Sequence, residues 1–177
     1  MPYDSNIHHR RTLRLHGFDY TQVGSYFVTL VTEGRETLFG EISSDQVSLS
    51  LAGQCAESML QALPVKFPIT LDARVVMPNH VHFLVTIIEG SQNRQSVKDE
   101  HFEPTGTLPR SLSAIVQNYK SVTARKIHAM KEFAGMPIWQ RNYYEHIVRD
   151  QADYDRIVDY ICNNPLDWEN DELNSLK

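Results

Sequence analysis

The sequence predicts an α+β domain, with helices packed on one antiparallel sheet. Three observations lead there. Stretches 26–32, 69–77 and 80–88 are rich in β-branched and aromatic residues, the composition of strands. Stretches 51–63, 111–130 and 151–163 repeat apolar residues at helical spacing. Their order is strand, helix, strand, strand, helix, then a short strand at 138–140 and a final helix.

Gly24-Ser25 precedes the first strand, Tyr26-Phe27-Val28-Thr29-Leu30-Val31-Thr32. Its aromatic and β-branched residues fall on both faces, so both are expected to be covered. Residues 38–49 hold two short apolar pieces around Ser43-Ser44-Asp45, which predicts a small hairpin. Ser50 is a candidate cap for a helix carrying Cys55, Met59, Leu60 and Leu63, with Pro64 as its end. Pro78 cannot donate a ladder hydrogen bond, so it should separate two strands, with His80 opening the second. Residues 89–109 form a polar connection, long enough to be functional or disordered. The helix at 111–130 buries Leu112, Ile115, Val116, Tyr119, Val122 and Ile127, and its other side is basic. Asp150 caps the last helix, whose core stripe is Tyr154, Ile157, Val158 and Ile161, and Pro165 stops it.

At 177 residues the chain suits one full core better than two. Residues 1–23 read as a basic arm, with Arg10, Arg11 and Arg14 available to contact phosphates, and 24–177 as the folded domain. The formal net charge of −5 argues against a protein that coats nucleic acid without specificity, but not against a DNA enzyme with cations gathered on one face. No apolar run approaches membrane-spanning length, and the start lacks a signal-peptide core, so a cytoplasmic setting is expected. Cys55 and Cys162 make no disulfide framework, and without a CxxC there is no zinc-knuckle pattern.

His80-Val81-His82 sits within a strand, where alternate side chains share a face. The two imidazoles can therefore converge on one ion, or simply hydrogen-bond within a core. On the last helix Tyr160 and Asn164 lie one turn apart, off the apolar stripe, and Arg156 extends their line. Read from the residues alone, a tyrosine at a packing interface and an asparagine cap are the simpler explanation of that pair.

The blocks MPNHVHFLV, WQRNYYEHIVRD and DYDRIVDYICNNP, in that order, resemble the HUH-type single-tyrosine transposases and their REP-associated relatives. The similarity runs from about residue 11 to 165. It implies a ferredoxin-like fold and one divalent metal, Mg²⁺ or Mn²⁺, on His80 and His82, with Asn164 as third ligand. It implies Tyr160 as the nucleophile that attacks single-stranded or hairpin DNA. The expected products are a 5′-phosphotyrosyl link and a free 3′-OH, so rejoining needs no ATP, and the chain has no P-loop pattern. Tyr143 and Tyr144 compete for the nucleophile's role. His146 could orient a phosphate or support the site from behind, or pack at the sheet edge. The resemblance leaves monomer and homodimer both open. The competing reading is a non-catalytic or host-adopted nucleic-acid-binding protein on the same sheet, although no RNP1 signature is present.

Overall fold

The computed structural model describes residues 19–89 and 107–174. Arg10, Arg11 and Arg14, and most of the polar 89–109 connection, lie outside these residues. The described elements are β1 (Gly24–Val31), β2 (Gly40–Ser43), β3 (Gln46–Leu49), α1 (Leu51–Gln61), α2 (Leu63–Lys66), β4 (Ile69–Val76), β5 (His80–Ile87), α3 (Leu112–His128), β6 (Tyr144–Ile147) and α4 (Gln151–Asn163). Strands β4, β5, β1 and β6 form one sheet in that order, every pair antiparallel. Leaving aside β2 and β3, which pair only with each other, this is the βαββαβ order of a ferredoxin-like sheet followed by α4.

Period-two alternation in β1 and β5 divides their side chains between two cores. Tyr26, Val28 and Leu30 of β1 and Val81, Phe83, Val85 and Ile87 of β5 join the main core, which includes Ala52, Ala56 and Leu60 of α1. Leu112, Ile115, Val116, Tyr119 and Ile127 of α3 complete that layer, and the Tyr119 hydroxyl donates to the Ala56 carbonyl. On the opposite face Phe27 and Leu84 meet Ile157 and Ile161 of α4 in a much smaller core. Both faces of β1 are thus covered, as its composition predicts. Tyr20, within the stretch read as the arm, is buried beside Tyr26.

The helix caps follow the sequence. Ser50, Ser111 and Asp150 each accept from the backbone N–H three residues on. The β2–β3 hairpin turns through Ser44 and Asp45, both in the left-handed region, which matches the twist of the strands. It packs so closely on α1 that a Cβ at Gly53 would lie 2.0 Å from the Phe39 carbonyl oxygen.

Two expectations need correction. Pro64 does not end the helical stretch: α1 stops at Gln61, and Pro64 lies in the first turn of α2, where its missing N–H is not needed. Residues 138–140 are not the last strand of the sheet. Trp139 makes a single bridge to Thr32, and the fourth strand is β6, at Tyr144–Ile147. Both pieces run along the same edge of β1, so the chain leaves that edge and rejoins it four residues later.

Candidate active site

His80 and His82 open β5 on the face covered by α4. The β1–β5 register sets Val31 opposite His80, Thr29 opposite His82 and Phe27 opposite Leu84. Both imidazoles are buried, with ring centroids 4.5 Å apart. Phe27 stacks on the His82 ring at 5.3 Å and meets the Tyr160 ring edge-on at 5.9 Å. The apolar stripe of α4 on Phe27 and Leu84 therefore turns its polar flank toward the histidines. The Tyr160 hydroxyl lies 3.3 Å from His82 Nε2. One turn on, the Asn164 side chain is buried.

Each histidine is held from behind through Nδ1. Thr29 Oγ1 lies 2.8 Å from His82 Nδ1, and Asn79 Oδ1 lies 2.9 Å from His80 Nδ1. Nε2 of each ring is left for the interior of the site, the arrangement in which ligand histidines are usually fixed. Two buried atoms there have no hydrogen-bond partner: His80 Nε2 and Asn164 Oδ1. Orphaned buried polar atoms are rare and call for an explanation. A divalent cation would satisfy both, so the residues present fit one.

The tail after α4 adds a donor the sequence reading passed over. Following a short turn at Trp168–Asn170, Asp171 Oδ2 lies 3.8 Å from His80 Nε2. Ligand atoms of His80, His82 and Asp171 fall within 4.8 Å of one another. Donors on one six-coordinate ion with bonds of 2.0–2.1 Å stand about 3–4 Å apart, so modest closure would complete the set.

The charges agree. Burial pushes the His80 imidazole down to about 4, against the upward pull of the Asp171 carboxylate and of the Asn164 side chain, which is close by but outside hydrogen-bonding geometry. Burial, and His80 beside it, hold His82 well below the ordinary histidine range. Both rings are neutral at pH 7, as ligands must be. Burial raises the Tyr160 phenol, and Asp171, Glu172 and Asp167 raise it further, while a hydrogen bond to Asn164 lowers it. A cation in the cluster would counter those carboxylates.

Tyr160 remains 47% exposed, opening on a cleft of about 770 Å³. The cleft is lined by Arg35, Gln140, Asn142, Tyr143, Tyr144 and the tail residues 170–173, as well as by His82 and Asn164. Tyr143 and Tyr144 stand on its wall. Tyr144 is half exposed and edge-on to Phe27.

The structure thus brings His80, His82, Asn164 and Tyr160 together. It sets His146 apart from them: that ring is bonded through Nε2 to Asp153 Oδ2 at 2.7 Å, in the first turn of α4. Asp153 also accepts from the Arg149 backbone and from the Arg156 guanidinium, so Arg156 serves this clasp rather than the line of Tyr160. Sequence reasoning missed Thr29, Asn79 and Asp171. Asn79 had a signal, its place directly before the HVH triplet. Thr29 and Asp171 reach the site only through strand register and tail path.

No family model matches the chain. An uncharacterised Haemophilus influenzae protein is 37% identical over 97% of this chain and 96% of its own length. Another protein of that organism, named for the REP-associated tyrosine transposases, is 23% identical over 84% of this chain and 73% of its own. The REP-associated tyrosine transposase of Escherichia coli is 28% identical over 56% of this chain and 46% of its own. A solved REP-associated tyrosine transposase, bound to a REP hairpin, superposes with a TM-score of 0.58 at 21% identity, over 87% of this chain and 73% of that one. That likeness is one of fold, and two relatives in sequence carry the same name: in both respects the chain is similar to the REP-associated tyrosine transposases.

Proposed function

We propose that the protein is a metal-dependent endonuclease and strand transferase for single-stranded DNA, working through a covalent phosphotyrosyl link at Tyr160. The observation that carries this reading is the convergence of two orphaned ligand atoms, His80 Nε2 and Asn164 Oδ1, with His82 Nε2 beside the Tyr160 hydroxyl. The REP hairpin bound by the solved relative supports hairpin DNA as the substrate.

A divalent ion, Mg²⁺ or Mn²⁺, held by His80, His82 and Asn164 would polarise the scissile phosphate and offset charge developing there. The chain's own residues do the rest. Phe27 and the α4 stripe fix where the Tyr160 ring stands. Its oxygen attacks phosphorus, the bond from phosphorus to the 3′-oxygen breaks, and the 5′-phosphate stays on Tyr160. One proton leaves the phenol and one arrives on the departing 3′-oxygen. The new phosphodiester conserves the bond energy, so a strand's 3′-OH can reverse the step. Asn164 acts at one remove from the nucleophile on the same helix, so both move with α4. The basic arm, with Arg10, Arg11 and Arg14, supplies phosphate contacts that the acidic cleft does not.

The test uses single-stranded DNA containing a palindromic hairpin with flanks, labelled at its 3′ end, incubated with Mn²⁺ and run on a denaturing gel. A labelled protein band is expected, lost on chelation and in Tyr160→Phe. An adduct that survives in Tyr160→Phe, with its DNA-linked peptide containing Tyr143 or Tyr144, overturns the assignment of the nucleophile. A mobility shift with no adduct at all would leave a binding protein.

A further inference from the structure

Asn79 lies in the turn between β4 and β5, closed by the Met77 N–H donating to the His80 carbonyl. Consecutive strand residues point to opposite faces, but a turn residue escapes that rule. The Asn79 side chain can therefore lie alongside that of its neighbour His80. It is fully buried and makes three hydrogen bonds. Two reach backbone carbonyls: its Nδ2 stands 3.2 Å from the Arg35 oxygen and 2.6 Å from the Leu173 oxygen.

Those carbonyls settle which end of the amide is which. Carbonyl oxygens only accept, so the atom facing both must be the donating NH₂. The remaining atom, Oδ1, can only accept, and it faces His80 Nδ1 at 2.9 Å. His80 Nδ1 must therefore carry the proton. A neutral imidazole has one ring proton, so Nε2 is left with a free lone pair. That bare Nε2 is the orphaned atom aimed into the cluster with His82 and Asp171.

We propose that Asn79 is a positioning residue: it selects the His80 tautomer that can bind a cation, and it is itself oriented by carbonyls of the 33–35 turn and the tail. The inference rests on the metal reading of the site and extends it to a residue that touches neither metal nor DNA. It also assigns the tail a task, since the Leu173 carbonyl helps keep the Asn79 amide from flipping. The Arg35 guanidinium, donating to the Glu172 carbonyl at 2.9 Å, holds the tail in that place.

Two measurements test it. The first needs no variant: ¹⁵N–¹H correlation spectra of the imidazoles in the intact protein should show His80 protonated on Nδ1. Finding the proton on Nε2 overturns the proposal. The second is calorimetric titration with Mn²⁺ alone. Asn79→Ala should weaken binding by about 10–100-fold, the usual effect of losing a partner behind a ligand histidine, and should mix the His80 tautomers. Asn79→Asp keeps an acceptor toward His80 but sets oxygen against the two carbonyls. It should hold Mn²⁺ within a few-fold of wild type while amide exchange speeds up at Leu173 and Asn174. Equal loss of affinity in both variants, or an unchanged tautomer in Asn79→Ala, sinks the proposal. If the wild type shows the expected tautomer yet binds no Mn²⁺, the metal reading fails and the role of Asn79 in setting the tautomer stands.

Discussion

His80 and His82 carry a stability penalty in acid that metal would relieve. Their folded pKa values lie below the ordinary 6.5, His80 at about 4. An unfolded chain therefore takes up protons that the folded one refuses, and stability falls as pH drops. For His80 the loss begins near pH 6.5 and levels off near pH 4, amounting to a few kcal/mol, since each unit is about 1.4 kcal/mol. Urea melts between pH 7.5 and 4 should show this slope, and His80→Gln with His82→Gln should flatten it. Among neighbouring groups, Asp171→Asn should lower the Tyr160 phenol pKa in metal-free protein, because that carboxylate holds it up; ultraviolet titration against Tyr160→Phe reads it. The members of the proposed site could be picked out because each pair is local: one strand repeat for the histidines, one helical turn for Tyr160 and Asn164. Asp171 was illegible, since nothing in Trp168-Glu169-Asn170-Asp171 says that the tail returns to β5.

α4 is the element that carries the proposed nucleophile, and two features dock it. Ile157 and Ile161 fill the small core with Phe27 and Leu84, and the His146–Asp153 contact clasps its first turn to β6. Ile161→Ala should cost about 3 kcal/mol, the middle of the range for emptying a buried aliphatic site, read by denaturant melts. Its adduct yield should fall further than global stability explains, because the Tyr160 ring loses its stop. The clasp is weaker in effect, as surface ion pairs are. Asp153, held down to about 2 chiefly by His146, keeps that contact above its ordinary pKa of 3.8 and loses it as pH falls through 2. The sequence announced α4 through a cap, a stripe and a terminal proline. It misplaced the last strand because β6 reads Tyr-Glu-His-Ile, with two polar residues at an edge, whereas Ile138-Trp139 carries the stronger strand composition without the pairing.

The whole molecule is acidic, at −5, and Asp167, Asp171 and Glu172 face the cleft, so on the proposed function DNA affinity would come from cations gathered elsewhere. Arg10→Ala, Arg11→Ala and Arg14→Ala together should reduce the slope of log affinity against log salt by up to about 2, at roughly 0.7 per single-strand phosphate contact. Slopes that coincide with wild type would place the arm away from DNA. No helix of the described residues is long and apolar enough to cross a membrane. The sheet order follows from the order of elements, which is why the architecture was readable, while the register that sets Thr29 behind His82 was not.

The two faces of the sheet are unequal, and the inequality has a kinetic meaning. One face is sealed by α1 and α3 over a large core, the other by α4 over a cluster of four buried apolar residues. Native-state hydrogen exchange should divide the protein accordingly. Amides of β1, β5 and α3 would exchange only through global unfolding, while those of α4 would open at lower free energy. The hydroxyl proposed as nucleophile thus rides on the part of the fold that lets go first, while the two histidines stay anchored in the sealed sheet.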